Sequence, residues 1–263
     1  FLSYRSLFDG TAIAYGNDEL IYTRGSNQGN EGIDIMVIHQ LPRSQGGGYN
    51  YHGITQKQCD AYYMKDGADC PGMNSMYQGR EGYTDPSRYD VEARPSGVIT
   101  QNELAEYPEL GSMGTGVSKQ YAAREPRFYA SVGYNGSIWH MLNANTDKGE
   151  QTNVQIFYYR DKPDGYKAGA YWLHTGIGIK KFVNPHDRAD SEKTYDVSRV
   201  QAKTAPDIRY AEVLLIYAEA LNELENVHEI SSWNGEKTYT IQRTETELKG
   251  NTAYTYPRRI TGL

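Results

Sequence analysis

The sequence predicts a mainly α-helical chain with a large loop-rich region and small antiparallel β-hairpins. Three observations predict it. Within residues 204–224, Tyr210 to Leu221 keep a helical apolar period over about three turns. Residues 128–142 hold two apolar runs joined by Asn135-Gly136, the dipeptide best suited to a tight hairpin turn. From Gly67 to Glu103, Gly, Pro, Asn, Asp and Tyr succeed one another without any period.

Residues 1–50 read as loops around one short apolar run, Ile33-Asp-Ile-Met-Val-Ile-His39, which fits a strand or a short buried helix. Gly46-Gly47-Gly48 marks a flexible loop. Thr55 to Lys65 reads as a helix. Thr55 and Gln58 form a capping box, Ile54 and Cys59 occupy the staple positions, and Gly67 suits the C-terminal cap. The stretch 67–103 is then an unusually long connection, of the kind that is either functional or disordered.

The hairpin is expected to pair Phe128–Tyr134 with Ser137–Leu142, placing Phe128, Ala130 and Val132 on one face. A strand at Val154–Tyr159 and a short one around Ile177–Val183 follow. Pro185–Val200 is charged and loop-like. The long helix places Tyr210, Ala211, Leu214, Tyr217, Ala218 and Leu221 on one stripe. Ala211 and Ala218 allow a neighbouring helix to approach closely. Its start is signalled by Thr204 with Asp207 three residues on, and by Pro206 in the first turn. It is expected to be the most deeply buried element, with Leu214 and Leu221 packed against other helices. From Ser231 on the tail is polar, and the Thr/Tyr alternation around Tyr239 suggests an exposed strand. No internal repeat of 20–50 residues is visible.

A chain of 263 residues can hold one large domain or two small ones. It is read as one: a loop-rich ligand platform over 1–200, a scaffold helix over 201–230 and a polar tail over 231–263. Mean hydropathy is −0.73. The chain carries 24 Tyr against 5 Phe, so much of its apolar content is amphipathic. A Tyr ring buries area while its hydroxyl needs a polar partner or water. Ordered loops and aromatic, polar surfaces are the consequence, with most of the Tyr packed under loops. A net charge of −6 argues against nucleic acid, since no basic face is available to neutralise phosphates. No apolar run approaches a membrane span. Two cysteines, Cys59 and Cys70, are too few for a disulfide scaffold or a structural zinc site. A single bridge and two free thiols suit their spacing equally.

No catalytic constellation stands out. The chain has no G-x-S-x-G elbow, no H-E-x-x-H and no P-loop, and its six His are scattered. Asn143, Asn145, Asp147 and Gly149 are spaced somewhat like a calcium loop, but the glycine falls one place late and the closing Glu is missing, so the segment reads as a loop. No metal or cofactor is expected. Carboxylates are plentiful, yet nothing singles out a glycosidase pair. The positive signal is aromatic. Sugars present apolar C–H faces and many hydroxyls, so holding them takes flat rings and a few polar side chains. Tyr77, Arg80, Tyr83 and Tyr89 of the long loop, Trp139 of the hairpin and Trp172 supply that mixture. Each alone suits packing; as a group they suit a glycan-binding surface.

Four segments in order resemble one family. Gly53-Ile-Thr-Gln-Lys-Gln-Cys-Asp-Ala-Tyr-Tyr-Met-Lys-Asp-Gly67, Arg124-Glu-Pro-Arg-Phe-Tyr-Ala-Ser-Val132, Gly178-Ile-Lys-Lys-Phe-Val183 and Pro206-Asp-Ile-Arg-Tyr-Ala-Glu-Val-Leu-Leu-Ile-Tyr-Ala-Glu-Ala-Leu-Asn-Glu223 are similar to stretches of the SusD/RagB family. Those proteins are outer-membrane glycan-binding lipoproteins of Bacteroidetes-type bacteria. The resemblance implies a tetratricopeptide-type helical scaffold and non-catalytic binding of oligosaccharide or polysaccharide at the cell surface. It also implies delivery to a TonB-dependent outer-membrane transporter of the SusC type. Family members are much longer, and their Asn-x-Ile-Arg-x-Arg-Ala-Gly-like run after the last helix is missing. The chain is therefore expected to be a piece of a longer protein, with the lipid anchor on an N-terminal part beyond it. The rival expectations are a secreted glycoside hydrolase and an assembly module that faces the transporter without touching glycan.

Overall fold

The structure, a computed structural model, describes residues 2–12, 15–24, 32–44, 48–71, 94–141, 151–166, 172–187, 200–223, 228–231, 235–241, 245–249 and 252–256. The helices are α1 (Leu2–Ser6), α2 (Ile33–Gln40), α3 (Gln56–Asp60), α4 (Pro126–Ser131) and α5 (Tyr210–Glu223). The strands are β1 (Leu20–Arg24), β2 (Val132–Gly133), β3 (Ser137–Met141), β4 (Gln151–Ile156), β5 (Gly178–Ile179), β6 (Ala205–Arg209), β7 (His228–Ser231), β8 (Thr238–Ile241), β9 (Glu245–Lys249) and β10 (Thr252–Tyr256). They form two-stranded sheets, β1 with β6, β2 with β5, β3 with β4, β7 with β8 and β9 with β10. One long helix among short helices and small sheets carries the mainly α expectation only in part. Two compact units are present: Phe1–Gly16 with Arg24–Ala205, and Asn17–Thr23 with Pro206–Leu263.

In the first unit, the run at Ile33 is a buried helix, α2, with Val37 and Ile38 in the core. Helix α3 starts as its sequence predicts. Thr55 is extended, and its hydroxyl accepts from the Gln58 N–H at 3.2 Å. It stops at Asp60 rather than Lys65, because other groups take over the ladder. The Tyr63 N–H donates to the Glu125 carboxylate at 3.0 Å. The Arg124 guanidinium donates to the Cys59 and Tyr62 carbonyls at 2.6 and 2.7 Å. Gly67 caps no helix; at φ 82° it closes a turn, its N–H donating to the Met64 carbonyl.

The expected Phe128–Leu142 hairpin is corrected by the structure. Glu125 is extended and Pro126 takes the first helical position, where its missing N–H costs nothing, so residues up to Ser131 form α4. Phe128, Tyr129, Ala130 and Ser131 are all buried, a pattern with no alternation for a half-exposed strand to use. The Asn135-Gly136 turn does form, with Gly136 at φ 86° and the Ser137 N–H donating to the Tyr134 carbonyl at 2.8 Å. It carries the chain from one sheet to another instead of closing a hairpin. β2 pairs antiparallel with β5, and β3 pairs antiparallel with β4.

Phe128 is the centre of one core cluster. The rings of Tyr62, Tyr129 and Tyr134 lie 5.7, 5.3 and 5.5 Å from it, with Tyr121 behind. A second cluster gathers Val37, Ile38, Leu41, Trp139, Ile156, Val183 and Val200. The Lys180-Lys181-Phe182 segment lies beside it. The Lys181 ammonium sits 4.0 Å from the Phe8 ring centroid, and Phe182 meets Phe8 edge-on at 5.8 Å. The fully buried pair Lys203 and Asp187 is 2.8 Å apart, and the carboxylate also accepts from the Asn184 and Gln201 N–H groups. A buried charge needs such full pairing to be tolerated.

In the second unit, β6 occupies residues 205–209, so the capping box expected at Thr204 and Asp207 is not used and α5 starts at Tyr210. The expected burial of α5 is overturned. Leu214 is 44 % exposed, Leu215 71 %, and Val213, Ile216 and Tyr217 are exposed as well. The side chain of Leu221 lies outside the described residues. The physical reason is the lack of a partner within the second unit: no other described element of that unit packs along α5. An apolar period states which face would be buried, not that something is there to bury it. The polar tail holds the expected strand at Thr238–Ile241, paired antiparallel with β7.

Candidate functional site

Trp172, Leu173 and His174 run into a turn in which the Gly176 N–H donates to the Leu173 carbonyl at 3.1 Å. Leu173 is buried, while its neighbours on either side point the other way and share one face. The Trp172 and His174 rings are therefore stacked, centroids 4.2 Å apart and planes 10° from parallel. Tyr166 meets Trp172 at 4.9 Å and 84°, and the Arg160 guanidinium lies 5.3 Å from the Tyr166 ring. On the other side Tyr51 meets His174 edge-on at 5.9 Å.

The segment bearing Tyr51 is held there by its backbone. Gly53 pairs with Gly178, and the Ile54 N–H donates to the Ile177 carbonyl at 2.9 Å. A Cβ on Gly53 would lie 2.4 Å from the Thr175 hydroxyl oxygen, so glycine lets the two segments close on each other. The result is a row, Tyr51–His174–Trp172–Tyr166, with Arg160 at its end. Tyr51 is 48 % exposed and Tyr166 40 %, while half-buried Trp172 fixes the order of the rings. Exposed rings offer faces to sugar C–H groups, and the imidazole, phenol and guanidinium groups offer hydrogen bonds to hydroxyls.

Of the residues singled out in the sequence, only Trp172 is placed in this row. Trp139 is corrected: at 2 % exposure it is a core residue, its indole N–H donating to the Ser137 hydroxyl at 3.1 Å. It faces Val154 across β3 and β4, which is why no ring face is left for a ligand. Tyr77, Arg80, Tyr83 and Tyr89, like the Asn143–Gly149 segment, lie outside the described residues. Tyr51, Arg160, Tyr166 and His174 were missed. The available signal was Trp172 and His174 flanking a single Leu, an alternation that puts both rings on one side.

The motif residues serve the fold. Buried Arg124 ties α3 to α4, its guanidinium 4.6 Å from the Phe128 ring as it holds the Cys59 carbonyl of α3. Tyr129 donates to the Tyr121 carbonyl at 2.9 Å and accepts from the Arg124 N–H at 3.1 Å. Buried Asp60 accepts from Arg94 at 2.5 Å and from Gln56 at 3.0 Å. Cys59 and Cys70 are both buried free thiols; burial, then the Asp60 charge, pushes the Cys59 thiol up to about 12. Among the described residues no group of His, Cys, Asp or Glu is placed to hold a metal ion, and no helix is long and apolar enough to cross a membrane.

Comparison with known proteins gives one family. The sequence model of the SusD family matches residues 8–236. A solved structure of a SusD-like protein from Bacteroides fragilis is 22 % identical, with a TM-score of 0.49 over 84 % of this chain. The chain spans 35 % of the length of that protein. Comparison with curated proteins finds no match. With the greater part of its length matched, the chain belongs to the SusD family.

Proposed function

We propose that this chain contributes to non-catalytic binding of oligosaccharide or polysaccharide at the outer face of the outer membrane. The bound glycan is then delivered to a SusC-type TonB-dependent transporter. Membership of the SusD family supports carbohydrate binding in glycan uptake. Transporter and location are extensions from that family. The observation that carries the reading is the exposed row Tyr51–His174–Trp172–Tyr166, closed by Arg160. It lies in the loop-rich part of the chain.

Retention on a panel of plant and host glycans, with reducing ends assayed in parallel, tests the proposal. A binder retains a glycan and releases no reducing ends. A glycoside hydrolase releases them, and an assembly module does neither. On a retained glycan, Tyr166→Ala or Trp172→Ala weakens binding by about 2 kcal/mol, roughly thirtyfold, if the ring is a hot spot. Unchanged affinity in Tyr51→Ala, Tyr166→Ala and Trp172→Ala alike moves the site away from this row.

A further inference from the structure

A second concavity in the first unit shares no residue with the aromatic row. It is a cavity of about 610 Å3, within the roughly 300–1,000 Å3 range of small-molecule sites. Its walls come from the turn after Tyr107, the start of α4, β3 and the end of β5. Leu110, Met113 and Ile138 make them largely apolar. The fixed charges on the wall are unbalanced, with Lys65, Arg124 and Lys180 against the single carboxylate of Glu109.

These cations are not equivalent. Lys65 is exposed, at the rim. Arg124 is spent on backbone carbonyls. Glu109 is held by the Ala123 N–H at 2.6 Å. Lys180 is different. Its ammonium donates to the Ile138 carbonyl at 3.1 Å and lies 5.9 Å from the Trp139 ring centroid. An ammonium has three protons to donate, and no carboxylate is bonded to this one among the described residues. Arg5, on α1, lines a small adjoining void with it and adds a like charge. Burial first, and Arg5 second, lower the Lys180 pKa to about 7. A half-buried cation with no counter-charge bonded to it is costly, and an anion entering the cavity would relieve it.

We propose that this cavity binds a small carboxylate-bearing ligand, its carboxylate on the Lys180 ammonium and its body against Leu110, Met113 and Ile138. The site is independent of the glycan reading and stands or falls without it. Binding is coupled to proton uptake. The bound anion favours the charged ammonium, so complex formation near neutral pH draws a proton onto Lys180. Affinity then falls as pH rises from 7 to 9, by up to about tenfold per unit. The other titratable groups facing the cavity are Glu109, Tyr129, Tyr134 and His140. Burial raises the Tyr129 and Tyr134 pKa values well above this range, which leaves His140 to be controlled for.

Isothermal titration at low ionic strength tests the proposal with two matched pairs, galacturonate against galactose and phenylacetate against phenylacetamide. The first pair reports an acidic sugar and the second an apolar acid. In at least one pair the carboxylate is expected to bind about tenfold or more tightly than its neutral partner. Lys180→Met removes that preference, while His140→Gln keeps it along with its pH dependence. Glu109→Gln strengthens it by removing the opposing charge, and serves as the second variant should Lys180→Met fail to fold. Titration in buffers of different ionisation enthalpy shows proton uptake in the parent and none in Lys180→Met. The proposal is overturned if neither carboxylate outbinds its neutral partner, or if the preference survives in Lys180→Met.

Discussion

Helices α4 and α5 both lie in segments similar to SusD-family stretches, and their fates are opposite. α4 has six residues, and Phe128 within it is 0 % exposed. α5 has fourteen residues and the stronger apolar period, yet Leu214 is 44 % exposed. What separates them is neither propensity nor hydrophobicity. α4 is met by Arg124, the Tyr121 and Tyr134 rings and α1, whereas no described element of the second unit packs along α5. Burial is a property of a pair of surfaces, and a helix supplies one of them.

Truncation at the two sites sharpens the contrast most. Phe128→Ala is expected to cost about 3–5 kcal/mol in denaturant unfolding, since four ring contacts and a cation–π contact are lost together. Arg124→Ala should come close, at about 3 kcal/mol or more, because the Cys59 and Tyr62 carbonyls both lose a charged donor and the Phe128 ring loses its cation. Arg124→Lys recovers only part of it, as one ammonium cannot reproduce the planar fork. A loss below about 1 kcal/mol in either Ala variant would break the account of α4.

Gly136→Val ranks next, at about 1–3 kcal/mol. Its φ of 86° is unfavourable for a β-branched residue, and a Cβ there would lie 3.0 Å from both Val117 and Phe157 side-chain atoms. A pH series on Lys180→Met tests the half-buried ammonium. The folded pKa of about 7 is below the unfolded value, so the unfolded chain binds more protons between the two. The cost of burying the charge is full below pH 7 and fades as pH rises towards 10. Lys180→Met should therefore gain more over the parent at pH 6 than at pH 9; an equal gain at both would refute the shift. Leu214→Ala should do least, shifting stability by less than about 1 kcal/mol, as exposed sites do. A loss above 2 kcal/mol would mean that α5 is covered in solution, and would erase the contrast with α4.

Local features were legible where local chemistry decides them. The Thr55 cap, the positive φ at Gly136, the helix over most of 210–223 and the strand at Tyr239 follow from side chains reaching their own backbone or from period alone. Pairing partners were not legible. The apolar runs at 128–134 and 137–142 look like one hairpin, and Pro126 at the first helical position was the overlooked sign that the first run is a helix. In the candidate site, Trp172 was found by residue type alone. Its companions Tyr51 and Tyr166 come from other segments, and long-range backbone contacts such as the Gly53–Gly178 bridge bring Tyr51 alongside.

The sequence by itself determined the family, through four ordered segments, and the amphipathic, Tyr-rich character of the chain. It also determined the caps and turns that depend on neighbours a few residues away. Only the tertiary structure decided which rings are surface and which are core. Trp139 and Trp172 have the same side chain, but one is packed in a core cluster with α2 and β4 residues and the other is half-buried in a row of rings. It alone set Lys180 beside a cavity with its charge only partly answered. The reason is common to both: exposure and charge balance depend on segments far apart in the chain, which the spacing of residues along it does not encode.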